Sequence, residues 1–181
     1  MQKIELEVAD LQLLEPRVFS DSRGFFLESY NQQSLQELGI SAKFVQDNHS
    51  HSVQGVLRGL HYQLNRPQGK LVRVVSGEAY DVAVDLRKSS PSFGRWAGVH
   101  LSEENKRIFW VPPGFAHGFL VLSPKADFLY KTTEFYDPTS EYCIRWDDPD
   151  LKISWPLHGE KPLQSPKDSK GLFFRDVPYF N

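Results

Sequence analysis

From Leu71 onward the chain falls into short apolar runs in which hydrophobic residues recur at every second position. LVRVV leads through Ser76-Gly77 into EAYDVAVDL, where Tyr80, Val82, Val84 and Leu86 share one face. Alternation with period two on both sides of a Ser-Gly turn predicts a β-hairpin. GRWAGVHL, KRIFWV, HGFLVL and DFLYKTTEF follow, broken by SEEN, PPGFA and SPKA. Their spacing predicts an antiparallel sandwich or barrel. Only Gln32 to Leu38 carries a helical pattern, with Leu35 and Leu38 on one face and Gly39 as a C-terminal stop. After Asp147, five prolines (149, 156, 162, 166 and 178) predict an irregular tail wrapped over the body. No repeat or low-complexity linker interrupts the pattern, so residues 1–181 read as a single domain large enough to bury its own core.

Composition narrows the function classes. An aromatic share of 13% favours strands and stacking pockets. The net charge is −2 and no block of like charge follows a nucleic-acid backbone, so a nucleic-acid polymer is not an expected partner. Cys143 is the only cysteine, which excludes an intrachain disulfide and reads as a small buried hydrophobe. The opening MQKIELEVAD lacks the apolar stretch of a signal peptide, and no run approaches the roughly 20 residues of a membrane span. A cytoplasmic protein is the expectation.

Alternate residues of a barrel strand point inward, so polar residues at inward positions need a reason. The candidates lie in RGLHYQ (Arg58 to Gln63), at Lys70, in PPGFAHGF (Pro112 to Phe119) and in LYKTT (Leu129 to Thr133). Together RGLHYQ, QGKLVRVVSGEAYDVAVDLR, WVPPGFAHGF and YKTTEFYDP resemble the dTDP-4-dehydrorhamnose 3,5-epimerase family, from about Arg17 to Asp168. The resemblance implies a mainly β, cupin-type jelly roll and a homodimer. It also implies conversion of dTDP-4-dehydro-6-deoxy-glucose to dTDP-4-dehydro-rhamnose, without a cofactor.

A C–H proton beside a ketone is acidified, yet its removal at neutral pH needs a placed base and stabilisation of the enolate. Histidine, with a free pKa of about 6.5, is a natural base, and a carboxylate can hold its tautomer. By resemblance His61 is that base and Asp168, in SPKDSKG, its partner. Lys70 corresponds to the family lysine that faces the enolate oxygen. Inversion also needs a proton returned to the opposite face, and Tyr130 matches the family's acid. For substrate binding the resemblance points to Arg23, Glu28, Gln46, Asn48, Glu141, Lys167 and His117. Arg58 suits a diphosphate, which a guanidinium fork meets bidentately, and Phe19 could stack on the base.

Metal-dependent cupins carry an HxH pair, a later glutamate and a further histidine. Here His61 is followed by Tyr62 and Gln63, and Lys70 stands where an acidic ligand is expected, so no metal is predicted. His49-x-His51 is the only HxH, and it reads as part of a polar DNHSHS loop. Two other readings are an epimerase acting at one carbon only and a sugar-binding cupin without chemistry.

Overall fold

The computed structural model describes residues 1–181. Its strands are β1 (Gln2–Ile4), β2 (Gln12–Glu15), β3 (Val18–Asp21), β4 (Gly24–Leu27), β5 (Gln46–Val53), β6 (Leu57–Gln63) and β7 (Lys70–Ser76). These are followed by β8 (Glu78–Asp85), β9 (Trp96–Ser102), β10 (Ile108–Val111), β11 (Phe115–Val121), β12 (Lys125–Thr132) and β13 (Glu141–Cys143). One helix, α1 (Gln32–Glu37), lies between β4 and β5. Asn31 caps it by accepting hydrogen bonds from the amides of Gln33 and Ser34, and Gly39 closes it at φ +84°.

Two antiparallel sheets face each other as a cupin-type jelly roll. One has the order β1-β2-β10-β7-β12-β5 and the other β13-β6-β11-β8-β9; β3 and β4 form a separate two-stranded hairpin. Between the sheets lie Val72, Val74, Phe109 and Phe128 from the first and Ala79, Ala83, Val99, Phe115 and Phe119 from the second. No helix is long and apolar enough to cross a membrane.

The expected β7–β8 hairpin does not form. The two strands follow each other in sequence but belong to opposite sheets, β7 between β10 and β12 and β8 between β11 and β9. Gly77 is the corner at which the chain changes sheets. Its φ of +76° favours glycine, and a Cβ there would meet the Lys125 carbonyl oxygen at 2.0 Å.

The apolar face of β8 also points away from the barrel. Val82, Val84 and Leu86 pack outward under Leu151, Ile153, Trp155 and Val177 of the tail. Burying such side chains stabilises the wrap by about 1.5–3 kcal/mol each. The opposite face turns the small Ala79 and Ala83, with Asp81 between them, into the interior. Strand alternation in β8 therefore aims a carboxylate inward.

DNHSHS is likewise not a loop: it is the middle of β5, paired with β12 along its whole length. Gln46, Asn48, Ser50 and Ser52 are the less exposed residues, while Asp47, His49 and His51 face solvent. Both faces are polar because one looks into a cavity and the other into water, which removes the apolar alternation by which a strand is recognised.

Candidate functional site

Strand register assembles the inner face. His61 on β6 pairs with His117 on β11 and with Cys143 on β13, so these three side chains share one face. Across the interior, Tyr130 on β12 stands opposite Val72 and Asn48, and Lys70 stands opposite Thr132. His61, Lys70, His117, Tyr130 and Arg58 line one cavity of about 200 Å³. Phe119 and Phe128 give it an apolar wall, their rings stacked at 4.0 Å.

His61 Nε2 meets Asp168 Oδ1 at 2.5 Å. Asp168 is buried on a single 3₁₀ turn of the tail, Asp168–Lys170, and its amide donates to Ser165 Oγ. Burial pushes its carboxyl pKa up, but the hydrogen bond and charge of His61 outweigh this and hold it below the usual range. An ionised Asp168 accepts the Nε2 proton, which leaves Nδ1 as the nitrogen able to take a proton from a bound molecule.

Lys70 is buried and has no ion-pair partner within 4 Å. Burial lowers its pKa to about 8, against the pull of Asp81 and Glu141. It is thus mostly a cation at neutral pH, held in a place where a developing oxyanion would meet it undiluted by water. Tyr130 is pushed up by burial, only partly offset by Arg58, and so remains a protonated phenol.

A second buried pair lies beside these. His117 Nε2 is 2.8 and 3.0 Å from the two carboxylate oxygens of Asp81. Burial lowers the His117 pKa despite Asp81, so the imidazole is neutral. Asp81 did not enter the sequence-based set, although a carboxylate between Tyr80 and Val82 on an alternating strand carried the signal.

Further predicted residues lie near the cavity without lining it, Asn48 paired with Tyr130 in the ladder and Glu141 close enough to act on the charge of Lys70 and Tyr130. Gln46 Nε2 donates to Asn48 Oδ1 at 2.9 Å, and Asn48 Nδ2 is buried without a partner in the chain. Gln46 Oε1 accepts from the amide of Tyr136, whose hydroxyl donates to Glu141 at 2.8 Å; Lys167 pairs with the same carboxylate. Tyr136, half exposed and joined to Gln46 and Glu141, is an aromatic of this cluster that sequence reasoning missed. Arg58 is anchored at the mouth by Ser52 Oγ at 2.9 Å and the His51 carbonyl.

The predicted residues of the N-terminal hairpin region lie apart from this cavity and from its neighbours within one chain. Phe19, Arg23 and Glu28 sit on or next to the detached β3–β4 hairpin. Arg23 there is 87% exposed and paired with Asp21 at 2.6 Å, Glu28 accepts from Asn31, and Phe19 packs near Phe26.

The donor set does not suit a cupin metal at the usual position. Gln63 spends its amide on the carbonyls of Arg66 and Phe135 and on the amide of Asp137, and the Lys70 ammonium supplies repulsion instead of a ligand. A different trio, His61, Cys143 and Asp168, places one ligand atom each within 4.8 Å of one another.

A family model described as dTDP-4-dehydrorhamnose 3,5-epimerase matches residues 5–176. The chain is 59% identical over 181 residues to the dTDP-4-dehydrorhamnose 3,5-epimerase of Pseudomonas aeruginosa, covering 99% of each. Its structure is similar to that of the dTDP-6-deoxy-D-glucose-3,5-epimerase of Legionella pneumophila in complex with dTDP-4-keto-L-rhamnose. There the TM-score is 0.95 and the identity 53%, over 98% of this chain and 94% of that one. A 3'-monoepimerase from Streptomyces bikiniensis in complex with dTDP-quinovose is more distant, with a TM-score of 0.86 and 32% identity over 93% and 85%.

Proposed function

This chain belongs to the dTDP-4-dehydrorhamnose 3,5-epimerase family, and on that premise we propose how its own residues carry out the reaction. The protein is an isomerase that inverts C3 and C5 of a dTDP-4-dehydro-6-deoxy-hexose. In our reading His61 Nδ1 removes the proton on the carbon beside the C4 ketone. The electron pair moves onto the ketone oxygen, where the Lys70 ammonium stabilises the enolate. Tyr130 then delivers its phenolic proton to the opposite face, and the configuration inverts. Asp168 fixes the His61 tautomer and stabilises the imidazolium. Neutral His117, held by Asp81, borders the same cavity and orients the sugar.

The observation that carries this reading is that His61, held at Nε2 by Asp168, lines one cavity with Lys70 and Tyr130. Incubation with the 4-keto sugar nucleotide in deuterated water tests it: solvent deuterium should enter at both C3 and C5. Deuterium at one carbon would turn the reading to single epimerisation, and none at either to a binding protein without chemistry.

For the nucleotide, Arg58 at the mouth suits the diphosphate. The Gln46, Asn48, Tyr136, Glu141 and Lys167 cluster suits the base and sugar, and the unpaired Asn48 Nδ2 is a ready donor. We further propose a homodimer of single-domain chains in the cytoplasm. Phe25 and Phe26 on the detached hairpin are 61% and 66% exposed, and β5 is an unpaired edge next to the cavity. A second copy of the chain that lays its hairpin against this edge would cover both. It would also bring Phe19, Arg23 and Glu28 to the partner's cavity.

A further inference from the structure

We propose that His61, Cys143 and Asp168 form an inhibitory binding site for Zn²⁺, which silences the enzyme by occupying its base. The inhibitory effect rests on His61 acting as that base; the binding does not. Cys143 stands directly opposite His61 in the β13–β6 ladder, so register alone puts thiol and imidazole on one face. The tail adds the carboxylate: Asp168 Oδ1 lies 2.5 Å from His61 Nε2 and 3.9 Å from Cys143 Sγ. A nitrogen, a thiolate and a carboxylate oxygen are a donor set suited to zinc, which takes such ligands at about 2.0–2.3 Å in tetrahedral array. Ligand atoms in that array stand about 3–4 Å apart. The His61–Asp168 contact must widen by roughly 1 Å, and the Cys143 sulfur, already 3.9 Å from Asp168 Oδ1 and within 4.8 Å of both partners, must close in on the imidazole nitrogen.

Nothing in the epimerase reading uses Cys143. Burial, reinforced by Asp168 and Glu141, pushes its thiol up to about 12, so it is no nucleophile at neutral pH. A metal changes this by displacing the thiol proton to solvent. At His61 the proton count is decisive. A neutral imidazole has one N–H and one lone pair, and the metal takes the lone pair of Nε2. The ring proton must then reside on Nδ1, and the nitrogen that faces the sugar can no longer accept one. Asp168 lines a separate, largely polar cavity of about 120 Å³ with Arg145, Asp147, Gln164 and Ser169, so one donor of the trio is reachable from outside the sugar cavity, with the Arg145–Asp147 ion pair beside it.

His49, His51 and Asp127, on the outer face of β5 and β12, are a competing cluster, with contacts of 2.9 and 3.1 Å. It contains no sulfur, and this separates the two sites. The full-length enzyme is titrated with Zn²⁺ while turnover is read, and in parallel with Co²⁺ while the near-ultraviolet thiolate-to-cobalt band is read. Wild type and His51→Asn should both show the band and lose turnover at micromolar Zn²⁺, with recovery on adding a chelator. Cys143→Ser, and Cys143→Ala as a second replacement, should keep metal-free turnover, lose the band and need at least about tenfold more Zn²⁺. No band in the wild type, or unchanged zinc sensitivity in both Cys143 variants, overturns the proposal. A band without inhibition overturns the inhibitory role, while His61 as the base is judged separately by metal-free deuterium exchange, which His61→Ala should abolish.

Discussion

Asp168 reaches His61 across 107 residues of sequence, and its carboxylate oxygen lies 2.5 Å from the imidazole Nε2. The tail thus supplies the hydrogen-bond partner of a barrel histidine, and on the proposed mechanism that partner holds the base. Replacing Asp168 by Asn keeps the shape but allows the amide to donate to Nε2, which selects the wrong tautomer and leaves the imidazolium unsupported. Turnover should fall about 10²–10⁴-fold with circular dichroism unchanged. The stability effect has a defined sign. The folded carboxyl lies below its usual value, so its contribution is present above the unfolded pKa and is lost as pH falls through the folded one. Asp168→Asn should flatten that acid limb in thermal melts. A variant with wild-type turnover would remove Asp168 from the mechanism.

Lys70 presents the opposite balance. Burial has lowered its pKa to about 8 from 10.5, so holding it charged at pH 7 weakens the fold by roughly 3 kcal/mol. Lys70→Met should raise the melting temperature and reduce turnover by about 10²–10³-fold, the scale of losing one oxyanion-stabilising group. In the wild type, turnover should decline as pH rises through about 8 and the ammonium loses its proton. Stability should rise over the same range, until the unfolded-state value is passed. An activity profile flat to pH 10 would show that the cation is not needed.

On the proposed mechanism Tyr130→Phe separates the two halves of the reaction. Without the phenol, His61 and Lys70 can still form the enolate, but the proton can return only from the face it left. Exchange of the substrate C–H into deuterated water should continue at a reduced rate while inversion falls by about 10²-fold or more. Exchange and inversion lost together, or both kept, would reassign Tyr130.

How far these residues could be read from the sequence follows from the range of the interaction that places each one. His61, Lys70 and Tyr130 sit on strands whose local motifs mark them as polar at inward positions, and the structure lines one cavity with them. The helix expected from Gln32 to Leu38 with Gly39 as its stop forms over Gln32–Glu37. Gly77 misled because a turn flanked by apolar alternation looks the same whether the next strand pairs back or crosses to the facing sheet. The difference lies in what covers β8, and that cover, Leu151 to Val177, comes from a tail with no period. His49 and His51 escaped recognition as strand residues because β5 is polar on both faces. Tyr136 escaped because a loop aromatic carries no local sign of the carboxylate that holds it.

The hairpin residues supply the test of assembly. Arg23 is fully displayed on a detached hairpin and does not border its own cavity, so on the dimer reading it serves the neighbouring subunit. Arg23→Ala and His61→Ala should each form an inactive or severely weakened homodimer. Mixing and re-annealing the two variants creates a heterodimer in which the outcomes diverge. If Arg23 acts across the interface, one site carries both defects and the other carries neither, so activity returns. If it acts within its own chain, each site keeps one defect and none returns. Recovery should approach one working site per heterodimer, read as turnover against the fraction of mixed dimer on native mass spectrometry. No recovery despite abundant mixed dimers would place Arg23 in its own subunit's site, and a chain that runs as a monomer would remove the dimer itself.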